Sequence, residues 1–101
     1  MVDVQVKTSK EKIVFLSAKG HADYAPHGKD IVCSAISAVL AGGFNALDGE
    51  HELVVEAGNT SYKQGEKLSR HDQHVLDTIL IQLLSIQESY PKNIKVTIEE
   101  I

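Results

Sequence analysis

The stretch from Ser69 to Pro91 narrows the folds open to this chain more than any other. Val75, Leu76, Ile79, Leu80, Leu83 and Leu84 recur at the spacing that places apolar side chains on one face of an α-helix. Ser69, with Asp72 three residues on, resembles a capping box at the start, and Tyr90-Pro91 closes the segment. A helix with one such stripe needs an apolar surface to lie on, and the rest of the chain supplies it as strands. Val2, Val4 and Val6 alternate with polar residues, and Ile13 to Leu16 is rich in strand formers. Thr8-Ser9-Lys10-Glu11 is the polar turn between them, which predicts a hairpin. Leu53-Val54-Val55 and Thr60-Ser61-Tyr62-Lys63 flank Ala57-Gly58-Asn59, and Gly followed by Asn suits a second tight hairpin. Ile94, Val96 and Ile98 alternate within residues 93–101 as a final strand.

A further helix is predicted from Ile31 to Leu47, with Val32, Ile36, Val39, Leu40 and Phe44 on its buried face. Its many small residues let it lie close to a neighbour. Gly42-Gly43 weakens the last turn by roughly 1 kcal/mol per glycine relative to alanine, which predicts fraying or a bend there. The resulting order is ββαββαβ: an α+β chain, with a mixed or antiparallel sheet covered by two helices as a two-layer sandwich. With 101 residues and no break in composition, residues 1–101 are expected to form a single domain. A homodimer would cover its leftover apolar surface.

Several function classes are excluded at this level. Ten Lys and Arg against fourteen Asp and Glu give a net charge of −4, the wrong sign for a protein that binds by neutralising phosphates, so direct nucleic-acid binding is not expected. No apolar run approaches the roughly 18 residues a membrane span requires, so no membrane partner is expected. Residues 1–6 lack the basic-then-apolar pattern of a secretory leader, and a lone cysteine cannot close an internal disulfide. The chain therefore reads as cytoplasmic. Zinc, haem and phosphate-loop patterns are absent. His71 and His74 stand one turn apart without a third ligand at suitable spacing and read as solvated helix surface, and His51 is read the same way. No metal or cofactor is expected.

Chemistry concentrates between Gly20 and Ser37. Asp30 reads as a helix N-cap, which puts Cys33 in the first turn, where unpaired N–H groups and the helix dipole favour thiolate over thiol. The Asp30 carboxylate would oppose that effect, so a cationic neighbour has to dominate, and His21 is the candidate. The loop from Gly20 to Lys29 carries His21, Tyr24 and His27, and both histidines are within bridging distance of Cys33 along the chain, so spacing leaves the base open between them. Backbone N–H groups of the first helical turn, or of the Gly28 region, are candidate oxyanion donors. Ser37 shares the face of Cys33, and its hydroxyl is expected to bond back to a helix carbonyl. The competing reading is structural, because a cysteine inside Ile31-Val32-Cys33-Ser34-Ala35 is more often a small core residue. Its place at a helix start shifts the balance.

Gly20-His21-Ala22-Asp23-Tyr24, His27-Gly28-Lys29-Asp30-Ile31-Val32-Cys33 and Ser34-Ala35-Ile36-Ser37-Ala38-Val39 resemble the signature of the ribosomal-processing cysteine protease family Prp. The resemblance extends over essentially the whole chain. It implies a bacterial cytoplasmic endopeptidase that removes the short N-terminal extension of a large-subunit ribosomal protein, the twenty-seventh by number, after a hydrophobic, Phe-containing sequence. It also implies Cys33 as nucleophile, His21 as general base, a mobile loop over the site matching Gly20 to Lys29, and a homodimer. Gly20, Asp30 and Ser37 are then supporting residues, and Tyr24, His27 and Gly28 lie in the substrate loop. The rival is a non-catalytic ribosome-assembly adaptor whose acidity suits a basic ribosomal protein, with Cys33 structural. A redox-sensing thiol protein ranks last, for want of a resolving cysteine.

Overall fold

Residues Val2–Ser9 (β1) and Lys12–Lys19 (β2) form an antiparallel pair around a turn of only two residues, Lys10 and Glu11. The computed structural model describes residues 1–26 and 28–101, so the roles considered for His27 lie outside the described residues. Lys10 and Glu11 take φ of 53° and 68°, the left-handed pair that matches the twist of a two-residue hairpin. Thr8 and Ser9, expected in the turn, therefore belong to β1. Lys7 pairs with Phe15 and Thr8 with Ile13, which leaves Val14 as an extra residue. In a regular strand Ile13 and Leu16 would face opposite sides. The bulge turns both inward, and both are buried.

Ile31–Asn45 (α1) buries Val32, Ile36, Leu40 and Phe44, and Arg70–Ser89 (α2) buries Leu76, Ile79 and Leu83. The first helix does not fray at Gly42-Gly43: it runs through both to Asn45, two residues short of the expected Leu47. A side chain at Gly43 would collide with Ile79 of α2, so this glycine is what lets the two helices approach. Between the helices, Glu52–Glu56 (β3) and Asn59–Lys63 (β4) pair around Ala57-Gly58, with Gly58 at φ 71°; Asn59 opens β4 and is not part of the turn.

Ile94–Glu100 (β5) lies parallel to β1, with Val2 opposite Ile94 and Val6 opposite Ile98. The five strands run in the order β3-β4-β2-β1-β5, antiparallel except for the last pair. The parallel pair follows from α2, which carries the chain over the sheet from β4 to the far side of β1. Val2, Val4, Val6, Leu16, Ala18, Tyr62 and Ile94 form the core together with the buried helix residues. The mixed sheet and two helices are thus the α+β arrangement expected from the pattern, and they bring the end of β2, the start of α1 and the β3–β4 turn to one edge of the molecule.

Candidate active site

The site is built around Asp30. Its carboxylate caps α1 by accepting the Cys33 N–H at Oδ1 (2.9 Å), while Oδ2 accepts the N–H groups of Tyr24 (2.9 Å) and Ala25 (3.3 Å). The hydrogen bond from Cys33 holds the Asp30 pKa below the ordinary carboxylate value. Burial opposes this, and the N–H groups of Tyr24, Ala25 and Val32 reinforce it. One carboxylate therefore fixes both the helix start and the first half of the loop. The Ser34 N–H is bonded to the Asp30 carbonyl at 3.1 Å, so the Cys33 and Ser34 donators expected for an oxyanion are already engaged.

Cys33 is half-buried, and its Sγ accepts a hydrogen bond from the Ala22 N–H at 3.5 Å. His21, the residue before Ala22, is exposed and lies against the β3–β4 turn: a Cβ on Gly58 would stand 2.9 Å from His21 Nε2. Gly20 is at φ 100°, where a Cβ would fall 2.5 Å from the Met1 carbonyl oxygen, so no side chain fits there. Its N–H donates to the Gly58 carbonyl at 2.9 Å, tying the loop's first residue to the same turn.

Gly20, His21, Gly28, Asp30, Cys33 and Ser37 all line one cleft of about 750 Å³, whose apolar wall includes Ile36, Leu40 and Val55. The structure thus gathers the candidates from the sequence, with one exception among the described residues. Tyr24 is absent from the lining and packs edge-on against Tyr90, with ring centroids 5.4 Å apart. Ser37, whose hydroxyl was expected to bond back to a helix carbonyl, stands on the cleft wall.

Two further groups escaped sequence reasoning. Asn93 reaches across from the α2–β5 turn to donate to the Ala22 carbonyl at 2.9 Å. His51, for which the sequence offers no partner, has a fully buried side chain: its Nδ1 accepts the Gly65 N–H at 3.0 Å, which places the proton on Nε2, donated to Asp72 Oδ2 at 2.9 Å. Asp72 also accepts the N–H groups of Asp48 (2.8 Å) and Gly49 (2.9 Å). Burial pushes the Asp72 pKa up, but the bonds from Asp48, His51 and Gly49 outweigh it and hold it below the ordinary value. Only half of the capping box forms, since Ser69 Oγ accepts the Asp72 N–H while the Asp72 side chain serves the 48–51 segment instead.

His71 pairs with that segment and not with His74. Its Nε2 donates to the Ala46 carbonyl at 2.9 Å and stands 3.5 Å from Asp48, and these two partners raise its pKa in that order. Asp48, His71 and Asp72 bring ligand-type atoms within 4.8 Å of one another, but the proton on His71 Nε2 and the bonds already on Asp72 occupy those atoms. Among the described residues, no helix is long and apolar enough to cross a membrane.

Comparison with known proteins gives one consistent result. Residues 1–95 match the family described as cysteine protease Prp. The ribosomal processing cysteine protease Prp of Staphylococcus aureus is 32% identical over 105 aligned positions, covering 94% of this chain and 96% of the relative. A crystal structure of the S. aureus ribosomal processing protease Prp with a covalently linked product peptide superposes with a TM-score of 0.92 at 29% identity, covering 98% of this chain and all of that one. The S. aureus protein in complex with a substrate peptide superposes with a TM-score of 0.85 at 28% identity over the same shares.

Proposed function

The chain belongs to the Prp family of ribosomal-processing cysteine proteases, and from that premise we propose that Cys33 is its nucleophile and His21 its general base. The observation that carries this reading is the cleft itself: Cys33, with a backbone N–H directed at its sulfur, opens into the same apolar-walled space as His21. The substrate we infer is the N-terminal extension of the twenty-seventh large-subunit ribosomal protein, cut in the cytoplasm where that protein is made. An extended segment would lie in the cleft with its apolar side chains toward Ile36, Leu40 and Val55.

In the reaction, His21 accepts the Cys33 thiol proton and the sulfur attacks the scissile carbonyl carbon. The tetrahedral adduct collapses as His21 protonates the departing amine. Water, deprotonated by His21, then hydrolyses the thioester and restores the thiol. Gly20 supports the base by permitting the turn before it, and Asp30 supports the nucleophile through the Cys33 N–H. Ser37, on the cleft wall one turn from Cys33, is a substrate-side contact. Opening of the loop to admit peptide would break the bonds from Tyr24 and Ala25 to Asp30 while its bond to Cys33 keeps the helix start intact. Gly28, at φ 86° with open space around it, is free to follow that movement.

The test is mass spectrometry of a peptide carrying the extension after incubation with wild type, Cys33→Ala and His21→Ala. Wild type should yield two fragments, and both variants none while keeping the wild-type circular dichroism. Cleavage by Cys33→Ala would refute the nucleophile, and cleavage by His21→Ala would move the base to His27. The homodimer implied by the family resemblance is proposed alongside, and a light-scattering mass of one chain would remove it.

A further inference from the structure

Asn93 lies in the turn between α2 and β5, outside the lining of the cleft, yet its Nδ2 donates to the carbonyl of Ala22 at 2.9 Å. We propose that Asn93 is a positioning residue for Cys33: by clamping Ala22 it aims the Ala22 N–H at the sulfur and stabilises negative charge there. This rests on Cys33 being the nucleophile.

The clamp is itself anchored. The Asn93 N–H donates to the Tyr90 carbonyl at 3.0 Å, and its carbonyl accepts the Val2 N–H at 2.9 Å, so the side chain projects from a turn held at the root of β1. Ala22 is 1% exposed, its methyl part of the core. With the methyl buried and the carbonyl held, the N–H has a defined direction, and it leads to Sγ at 3.5 Å. Asp23, the next residue, sits at φ 56°, in the left-handed region that non-glycine residues visit only at a cost. The carbonyl that Asn93 grips is the one entering that turn, so the same bond maintains it.

A backbone N–H bonded to sulfur favours the charged form over the neutral one. The start of α1 offers no replacement donor in Cys33 or Ser34, because both of those N–H groups are engaged by Asp30.

The experiment compares Asn93→Ala, Asn93→Asp, Asn93→Ser and Lys92→Ala with wild type. Asn93→Asp preserves the side-chain shape and turns an acceptor toward the Ala22 carbonyl in place of the donor. Loss of the directed N–H should lower the thiolate fraction about tenfold, the lower end of what a hydrogen bond to a charged group contributes. A more basic sulfur is also more nucleophilic, with a Brønsted slope of about 0.4–0.5, which recovers about threefold. Alkylation by iodoacetamide at neutral pH should therefore slow about threefold in Asn93→Ala and Asn93→Asp. At about pH 10, where the difference in thiolate fraction narrows, the greater nucleophilicity should make it faster than wild type. Peptide cleavage should lose kcat with KM within about twofold, since Asn93 does not line the cleft. Asn93→Ser, which keeps a donor on a shorter side chain, should fall between, and Lys92→Ala should match wild type.

Neutral-pH alkylation that is unchanged or faster in Asn93→Ala and Asn93→Asp, with circular dichroism intact, would overturn the proposal, because loosening alone exposes the thiol and speeds its reaction. If either variant fails to fold, the neutral-pH rate and kcat of Asn93→Ser decide by the same criterion. Cleavage by Cys33→Ala would instead remove the nucleophile assignment on which the proposal rests, whatever the Asn93 variants do.

Discussion

Replacing Asp72 with asparagine should destabilise this fold far more than an isosteric change suggests. Three donors converge on the fully buried carboxylate: the Asp48 N–H on Oδ1, and the Gly49 N–H and His51 Nε2–H on Oδ2. Asparagine has one acceptor oxygen, so in either orientation of the amide at least one buried donor faces another donor. His51 cannot relieve this by moving its proton, because Nδ1 is held as an acceptor by the Gly65 N–H at 3.0 Å. An unsatisfied buried donor costs about 1–3 kcal/mol, and replacing charge-assisted bonds by neutral ones about 1 more, so Asp72→Asn should lose about 2–4 kcal/mol. Asp72→Ala, which strands all three donors, should lose about 3–5 kcal/mol. The assay is urea unfolding, read as a lower midpoint at unchanged m. The pH dependence follows from the lowered Asp72 pKa: its stabilising effect is complete above the unfolded value of about 3.9 and is lost as pH falls through the lower folded value. The part of the difference between wild type and Asp72→Asn that comes from the carboxylate should thus shrink below about pH 4. A loss under about 0.5 kcal/mol for Asp72→Asn near neutral pH would refute the reasoning, as that is the range of an ordinary surface change.

Gly58→Ala should lower kcat with the fold retained, because φ of 71° disfavours any side chain and the added methyl would stand 2.9 Å from His21 Nε2. Gly42→Ala, with open space around the new methyl, should leave cleavage unchanged and raise stability by about 1 kcal/mol; equal kcat in the two variants would remove the role given to the β3–β4 turn. Lys10→Asn combined with Glu11→Gly should stabilise the first hairpin by about 1–2 kcal/mol, since both positions are left-handed and the pair suits such a turn. An unchanged or lower unfolding midpoint would count against that turn geometry.

What could be read from the sequence was what has a local period or a local partner. The α2 stripe, the Asp30 and Ser69 caps and the alternation in β1 and β5 each depend on residues within a few positions, and each is present. The Val14 bulge leaves no such trace, because Ile13 and Leu16 share a face only through register with β1. Gly43 reads locally as a cost to the helix, and its close approach to Ile79 exists only once two helices pack. His51 and Asn93 find their partners 21 and 71 residues away, beyond the reach of any spacing rule. Asp72 shows the competition directly: its position suits a capping box, but three donors from elsewhere in the fold hold its carboxylate instead.

The same distinction changes the physical account of Cys33. From the sequence, the helix start was the natural source of electrostatic help for a thiolate. In the fold that source is already committed, because the Asp30 carboxylate sits at the positive end of α1 and accepts the Cys33 N–H. The donor that does reach the sulfur comes from the loop, through Ala22. Ala22 and the remainder of the loop hang from different anchors: Ala22 from Asn93 and the core, Tyr24 and Ala25 from Asp30. On the proposed reading, a substrate would displace the loop beyond Asp23 by breaking the two hydrogen bonds to Asp30 and the Tyr24–Tyr90 contact, without withdrawing the N–H from Cys33. Opening for peptide and serving the nucleophile would, on that reading, fall to separate segments of the loop, with Asp23, in its left-handed conformation, between them.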